Sequence, residues 1–197
     1  MKRFFALLAA ALLLTGCAAE RADSRVSDLQ RAYAATGGCD ARVEVAVSDE
    51  EETRRYTLDV AKDGDKTRVT VLEPEALAGV AAAVSGDALA LEFDGMVLDA
   101  GGAGSGVSAV NATEIVLRAA ASGYVTERNS ERYADTDALR LCFETEQNGE
   151  MLYVTAYFDA ANAPLYAEIA RDGKVLAYLE FTDFAFHDII PASGYYN

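Results

Sequence analysis

The sequence predicts an α+β domain that is mainly β, with a long antiparallel sheet and helices on one side of it. Residues 138–186 indicate four consecutive strands, because apolar and polar residues alternate within each run and turn-forming residues separate the runs. The same two-residue period recurs over residues 41–98, whereas helical spacing is found in two segments. A chain of 197 residues, 51% of them hydrophobic, is expected to fold as one domain behind a processed leader.

The leader begins the chain. Lys2 and Arg3 precede an uninterrupted apolar run over residues 4–14, which has the length of a secretory signal core and is too short to span a bilayer as a permanent helix. The run closes at Leu14-Thr15-Gly16-Cys17, which resembles the cleavage site of bacterial lipoproteins. This resemblance implies removal of residues 1–16 and attachment to Cys17 of acyl chains such as palmitate, which together hold a protein stably at a membrane.

The segment after the cleavage site is a tether. Residues 17–23 are small and polar, which leaves 24–197 as the folded domain. A lipidated product is extracytoplasmic and anchored to the bacterial cell membrane, and Ala18 after the cysteine permits sorting to an outer membrane where the cell has one. Loss of Lys2 and Arg3 changes the formal net charge from −15 to −17, which disfavours nucleic acid and anionic headgroups as partners.

The folded domain opens with a predicted amphipathic helix over residues 24–35. Val26, Leu29 and Tyr33 share one face of this helix, and Gly37-Gly38 ends it. Strands are expected at 41–47, 55–60 and 66–72, where apolar residues recur with a period of two. A short helix or helical turn over 75–83, strands at 88–94 and 96–98, and a mobile glycine-rich connection over 101–107 complete this half.

The second half begins with a covering helix. Asn111 and Glu114 are spaced as a capping pair that opens the helix, and Gly123 follows its end. We expect a strand over 124–129, a polar loop over 130–137 and then the meander of residues 138–186. Within the meander, Asn148-Gly149 and Asp172-Gly173 mark hairpin turns, because these dipeptides tolerate positive φ.

Two cysteines belong to the folded domain, Cys39 and Cys142. After export they meet an oxidising environment, where a disulfide between them and two separate thiols are the alternatives. A disulfide would close a loop of about 100 residues, for which the chain-entropy model allows about 4.7 kcal/mol.

The sequence lacks the usual catalytic and metal-binding motifs. The sole histidine, His187, lies beyond the last predicted strand amid aromatic residues, which favours packing. No His-Glu-x-x-His, Cys-x-x-Cys or Gly-x-Ser-x-Gly motif occurs, the acidic run 49–52 lacks the offsets of a calcium loop, and the glycines of 101–106 lack phosphate-loop spacing. The sequence therefore predicts a non-enzyme without a cofactor or metal.

The positive signal is a wide apolar sheet face with little to cover it. The strands repeatedly present Leu, Val, Phe and Tyr on one side, and two helices with a glycine-rich connection are the available cover. An apolar ligand cavity is expected on that side of the sheet. The candidate lining residues are Tyr56, Leu58, Val69, Val71, Leu89, Leu91 and Phe93.

The order of elements over residues 39–191 resembles the bacterial lipoprotein carrier (LolA/LolB-like) family and related lipid-carrying lipoproteins. The segment Leu72-Glu73-Pro74-Glu75 to Gly79 and the closing residues 179–191 carry the likeness. It implies an antiparallel sheet curved into an incomplete β-barrel, helices covering its concave face, and a hollow for acyl chains. The arginine that clasps the lid in that family has three candidates here, Arg42, Arg55 and Arg68.

The expected function is that of a membrane-anchored lipoprotein that binds or carries a lipid or an acylated protein in an apolar cavity. The alternative is an anchored envelope sensor or protein-interaction domain of the same fold without carrier activity, since a fold does not fix a function. Mass spectrometry of co-purified lipid separates the two, because only the first requires an occupied cavity.

Changing Cys17→Ser is expected to release the protein from membranes or to leave the precursor uncleaved, because no thiol then follows the apolar run at the small-residue site. Membrane fractionation and intact-mass spectrometry measure the two outcomes. Cys142→Ser, which leaves the cleavage site intact, is the control and should remain with membranes. Normal processing and membrane recovery of Cys17→Ser would overturn the prediction.

Overall fold

Strands dominate the structure. The computed structural model describes residues 24–48, 52–85, 88–93, 96–102 and 106–187. The helices of this part are α1 (24–35) and α2 (Ala112–Ser122), and a 3-10 turn covers Glu75–Leu77. The strands are β1 (Gly38–Ser48), β2 (Thr53–Asp63), β3 (Lys66–Glu73), β4 (Ala81–Ser85), β5 (Ala88–Phe93), β6 (Met96–Gly102), β7 (Tyr124–Tyr133), β8 (Thr136–Gln147), β9 (Glu150–Phe158), β10 (Pro164–Arg171) and β11 (Lys174–Phe186).

All eleven strands belong to one antiparallel sheet in the order β6-β5-β4-β3-β2-β1-β11-β10-β9-β8-β7. β6 and β7 stand at the two edges of this linear order, so the sheet is an incomplete barrel. The first and last strands meet at its centre, where β1 pairs with both β2 and β11. The chain is therefore two meanders, β1 to β6 and β7 to β11, joined along the β1–β11 pair.

Alternation along the strands gives the sheet two different faces. The inner face carries Val43, Leu58 and Val69, and both helices of the described residues pack on it. The outer face carries the alternate residues, such as Arg42 and Glu44, which are exposed. Burial of one large apolar side chain contributes about 1.5–3 kcal/mol relative to exposure. The largest fully buried side chains are Phe143, Phe158, Leu29, Leu58, Ile115, Leu141, Leu152, Ile169, Leu179, Val43, Val45 and Val69.

Helix α1 is fixed to the inner face by its apolar stripe and by bonds to the β9–β10 connection. Tyr33 is 7% exposed, and its ring lies 5.0 Å from that of Phe186 between centroids. The Tyr33 hydroxyl donates to the carbonyl of Asn162 at 2.8 Å, and Arg25 donates to the carbonyl of Asp159 at 3.1 Å. The helix therefore covers the sheet, as its spacing predicts.

The meander of residues 138–186 is confirmed as β8, β9, β10 and β11, each antiparallel to the next. Asn148 and Asp172 have φ of 52° and 50°, and the glycines after them are also positive, as their turn signals predict. The apolar stripe of α1, the second covering helix α2 and the upstream period of two are confirmed as well.

The predicted helix over residues 75–83 is wrong beyond its first turn. Only Glu75–Leu77 is helical, and Ala81–Ser85 is strand β4, paired with β3. Without β4, β3 would expose a row of unpaired backbone groups. The amide of Val71 donates to the carbonyl of Val80 at 2.9 Å, which starts this pairing. Tertiary pairing thus overrides the helical preference of alanine.

The predicted polar loop over residues 130–137 is also wrong. β7 continues to Tyr133, a turn covers 134–135, and β8 begins at Thr136. β7 is an edge strand that is exposed on both faces along most of its length. Such a strand has no apolar side, so the two-residue period that marks the other strands is missing.

The predicted capping pair at the start of α2 does not form, although the helix does. The side chain of Asn111 makes no cap hydrogen bond; it accepts from the amide of Ser108 and donates to the carbonyl of Gly106, both at 2.8 Å. Glu114 turns away to the sheet instead, to Lys62.

Several predicted segments lie outside the described residues. These are the leader, Cys17 with its tether, and residues 49–51 of the acidic run. Of the glycine-rich connection, residues 101–102 belong to β6, whereas 103–105 lie outside. In the part of the chain that is described, no helix has the length and apolar character needed to cross a membrane.

The structure contains two separate thiols rather than the Cys39–Cys142 disulfide. Both cysteines are free. Cys39 is 2% exposed on the inner face of β1, whereas Cys142 lies on the outer face of β8, near the hydroxyl of Thr155 at 3.5 Å. β1 and β8 are four strands apart, which corresponds to about 19 Å at about 4.8 Å per strand. A disulfide requires Cα atoms within about 7 Å.

Burial raises the pKa of the Cys39 thiol to about 12, so this thiol stays protonated at pH 8. We therefore expect a thiol reagent to label Cys142 rapidly in the native mature protein and Cys39 only after denaturation, since the thiolate is the reactive form. The sequence predicts that Cys17 is lipidated, and in that form it has no free thiol to label. Cys142→Ser should remove the fast phase, and the absence of any free thiol in denatured, non-reduced protein would contradict the structure.

Candidate functional site

The apolar inner face continues beyond the helices onto one end of the sheet. We call β4, β5 and β6 the wing. Ala82 is 4% exposed, whereas Leu89 and Leu91 are partly buried. Phe93 and Met96, which lie opposite each other in register, are 53% and 63% exposed. Exposure of the large apolar side chains thus rises along β5 toward Phe93 and is highest at Met96, the first residue of β6.

Strand register places all seven predicted cavity residues on the inner face. Leu58 lies opposite Val71, and Val69 lies opposite Ala82, which lies opposite Leu91. Leu89 and Phe93 flank Leu91 at two-residue steps along β5, and Tyr56 lies opposite the buried Val45. The shared face that the alternation predicts is therefore present.

The seven residues do not share one environment. Leu58 and Val69 are 1% and 2% exposed within the core under the helices, so they support the fold. Tyr56 and Val71 pack against that core and are partly buried. The remaining three lie on the wing. A ligand surface on this face therefore consists of Leu89, Leu91 and Phe93, extended by Met96.

A polar contact fixes α2 at the boundary between the core and the wing. The Lys62 ammonium lies 3.0 Å from Glu114 Oε2, with both side chains about one-quarter exposed or less (21% and 24%). The hydroxyl of Thr67, which is 3% exposed, donates to the same oxygen at 2.8 Å. A half-buried ion pair with an added hydrogen bond sets the position of the helix start over β2 and β3.

Sequence reasoning missed this contact. The period that places Tyr56, Leu58 and Val60 on the apolar side also places Lys62 there, and Thr67 likewise precedes Val69 and Val71 by two-residue steps. An inward-facing cation in an apolar row requires a buried partner. The position of Lys62 in the sequence therefore predicts a buried partner, whereas the identity of that partner depends on the packing of α2.

The three arginines that could clasp the helical lid all lie on the opposite side of the sheet. Arg42 pairs with Asp59 at 2.9 Å, and Arg68 pairs with Glu92 at 2.6 Å. The hydrogen bond with Asp59 raises the pKa of Arg42, and that with Arg68 lowers the pKa of Glu92. Arg55 lies opposite Ala46, which also faces outward. Within the described residues none of the three contacts a helix, whereas Lys62 contacts α2 through Glu114.

A pocket of about 480 Å³ lies on the wing where β3, β4 and β5 meet. Residues of both faces line it: Arg68, Ala83 and Ala90 lie opposite one another on the outer face, and a neighbouring register row on the inner face consists of Thr67, Val84 and Leu89. Its lining residues are Lys66, Thr67, Arg68, Ala83, Val84, Ser85, Leu89 and Ala90. Leu89 thus belongs both to this pocket and to the inner surface of the wing, whereas Leu91, Phe93 and Met96 do not line the pocket.

Within the described ranges, no group of three or more His, Cys, Asp or Glu side chains is placed to hold a metal ion. His187 lies at the end of β11 and makes a 2.9 Å contact with Asp40 through Nε2. The site is therefore a surface of large apolar side chains rather than a cluster of reactive groups.

Fold and site together define the class of the protein: a mainly β incomplete barrel with helices on its inner face and an apolar surface beyond them. No protein-family model matches the chain, and no curated protein matches it in sequence.

Solved structures do resemble it. LprF from Mycobacterium bovis has 11% identity and a TM-score of 0.48, with coverage of 87% of this chain and 96% of that one. A LolA superfamily protein from Nitrosomonas europaea has 12% identity and a TM-score of 0.44, covering 85% and 94%. An outer membrane lipoprotein-sorting protein domain from Vibrio parahaemolyticus has 13% identity and a TM-score of 0.46, covering 85% and 93%. At these identities the likeness concerns the fold alone.

Stability measurements separate the core residues from the wing residues. Leu58→Ala is expected to lower the free energy of unfolding by about 2–5 kcal/mol, because it leaves a cavity in a closed core. Leu91→Ala should cost about 1 kcal/mol, because a half-buried side chain loses less apolar contact. Denaturant unfolding of both variants provides the comparison. Equal costs would mean that Leu91 is also core.

Proposed function

We propose that this protein is a lipid-anchored extracytoplasmic protein that binds an acyl chain, of a lipid or of an acylated protein, on the inner surface of the wing. The observation that carries the proposal is the row of large apolar side chains that continues the core outward without cover. Leu91 is partly buried, and Phe93 and Met96 are 53% and 63% exposed. Contiguous exposed apolar surface on a soluble domain commonly marks an interaction site.

An acyl chain suits this surface for two reasons. It is slender and flexible, so it can lie along the row of side chains between β5 and the helices without displacing the core. Its burial contributes about 0.8 kcal/mol per CH₂ group, so a chain of ordinary length gains useful affinity from contact alone. No polar readout is needed, which agrees with the apolar nature of this row.

The sequence of the tether supports a location at the membrane. Six residues separate the proposed lipidated Cys17 from the start of α1, and they span at most about 21 Å. α1, which follows the tether in sequence, packs on the inner face, and this is also the face of the apolar wing surface. The proposed binding surface therefore shares a face of the sheet with the helix nearest the proposed anchor in sequence.

Leu91→Glu is expected to weaken binding of a fluorescent fatty-acyl probe to the delipidated protein at least tenfold, because it places a carboxylate against the chain. Met151→Glu is the matched control: Met151 is 46% exposed on β9 and its strand partner is the outer-facing Glu146, so binding should be unchanged. Titration by fluorescence gives both constants, and mass spectrometry identifies co-purified lipid.

The outcomes that contradict the proposal are distinct. Absence of saturable binding to the wild-type protein would remove the acyl-binding role altogether. Saturable binding that survives Leu91→Glu would place the acyl chain elsewhere, for example in the pocket where β3, β4 and β5 meet, which Leu91 does not line.

A further inference from the structure

The outer face carries a groove that the acyl-binding proposal does not use. It crosses β2, β1, β11 and β10 near the centre of the sheet and has a volume of about 330 Å³. Its outward-facing residues include two glutamates, Glu44 and Glu180, and two tyrosines, Tyr166 and Tyr178. The helices lie on the opposite side of the sheet, so they do not cover this groove.

Two carboxylates face each other across the floor of the groove. Glu44 on β1 and Glu180 on β11 are direct partners in the strand register. Like charges placed directly opposite on one face of an antiparallel pair are destabilising. Within the described part of the chain, neither side chain has an ion pair or hydrogen bond, and Arg55, which also lines the groove, pairs with neither of them.

A third carboxylate continues the row. Thr57 lies opposite both Glu44 and Glu73, and its hydroxyl donates to Glu73 at 3.2 Å. The order across the sheet is therefore Glu180, Glu44, Thr57 and Glu73. With these three carboxylates and the single cation of Arg55, the groove lining carries a formal net charge of −2.

Tyrosine rings form the wall of the groove beside Glu180. Tyr166 lies opposite Glu180 in register. Its ring stacks with that of Tyr133 at 5.3 Å between centroids and 19° between planes, and Tyr133 in turn lies 5.2 Å from Tyr157. The Tyr166 hydroxyl donates to Glu168 at 2.8 Å, and burial together with this bond raises the pKa of Tyr166, so the ring stays neutral.

We infer that this groove binds a basic segment of another protein, with an arginine side chain held between Glu44 and Glu180 and against the tyrosine wall. A guanidinium satisfies opposed carboxylates through several fixed donors and also stacks on aromatic faces. Binding would cancel the repulsion between the two carboxylates, neither of which has an ion-pair partner among the described residues. The inference is independent of the acyl-binding proposal, because it uses the other face of the sheet.

The other occupants fit less well. A second copy of this chain carries a formal net charge of −15, which opposes its approach to an acidic groove. Residues 188–197 of this chain contain no lysine or arginine. A lipid headgroup is disfavoured by orientation, since α1, the helix that follows the proposed anchor in sequence, lies on the inner side of the sheet.

The test uses the full mature protein and fluorescein-labelled peptides of four Arg-Gly repeats and four Glu-Gly repeats, read by fluorescence anisotropy. We expect saturable binding of the arginine peptide only. The double variant Glu44→Gln, Glu180→Gln should weaken it at least tenfold, and Tyr178→Ser should weaken it severalfold. The double variant Asp135→Asn, Asp172→Asn removes the same charge at two exposed turns and should bind as the wild type does.

Thermal unfolding provides a second readout. Glu44→Gln, Glu180→Gln should raise the melting temperature while binding is lost, because the opposed charges are gone. Acyl-probe binding should be unchanged in this variant, which keeps the test separate from that of the proposed function.

Three results would overturn the inference. Equal losses in the groove variant and the turn variant would mean attraction by net charge alone. Failure of the arginine peptide to bind would exclude a basic segment as the occupant of the groove. Binding to phosphatidylcholine vesicles that the groove variant abolishes, without peptide binding, would assign the groove to a choline headgroup instead.

Discussion

The width of the apolar inner face is the constraint on which the rest of the structure depends. Eleven strands have ten intervals of about 4.8 Å, so the sheet is about 48 Å wide along its surface. A helix with its side chains is about 10 Å across, so α1 and α2 together cover less than half of that width. The core therefore forms under the helices. Near each edge of the sheet, the inner face must be either polar or covered by something other than these helices.

The two edges differ in how they meet this requirement. β7 is polar on both sides and tolerates water on each. The wing instead keeps large apolar side chains on its inner face, and Phe93 and Met96 remain exposed there. Polar side chains on the inner face of the wing would meet the requirement equally well. The contrast within one sheet is what makes the wing, rather than the buried core, the place to seek a ligand.

The sequence determines the fold more clearly than the site. A period of two places each strand residue on a face, so the common face of Leu58, Val69 and Leu91 could be predicted. Periodicity does not say which part of that face a helix covers. That depends on where α2 docks, and the Lys62–Glu114 contact which fixes its start joins residues far apart in the chain. The missed strand residues at 81–85 and 130–133 have a related cause, since pairing rather than composition sets them.

The pairing of β1 with β11 has a consequence for how the chain acquires its fold. β1 is the first strand to be synthesised and β11 is the last, yet they are neighbours at the centre of the sheet. One edge of β1 therefore has no native partner until nearly the whole domain has been made, and contacts of this sequence separation form slowly. During that interval Val43 and Val45 belong to an unfinished edge that can pair with another chain. Nascent molecules thus carry an open strand edge for longer than a chain whose strands pair in the order of synthesis.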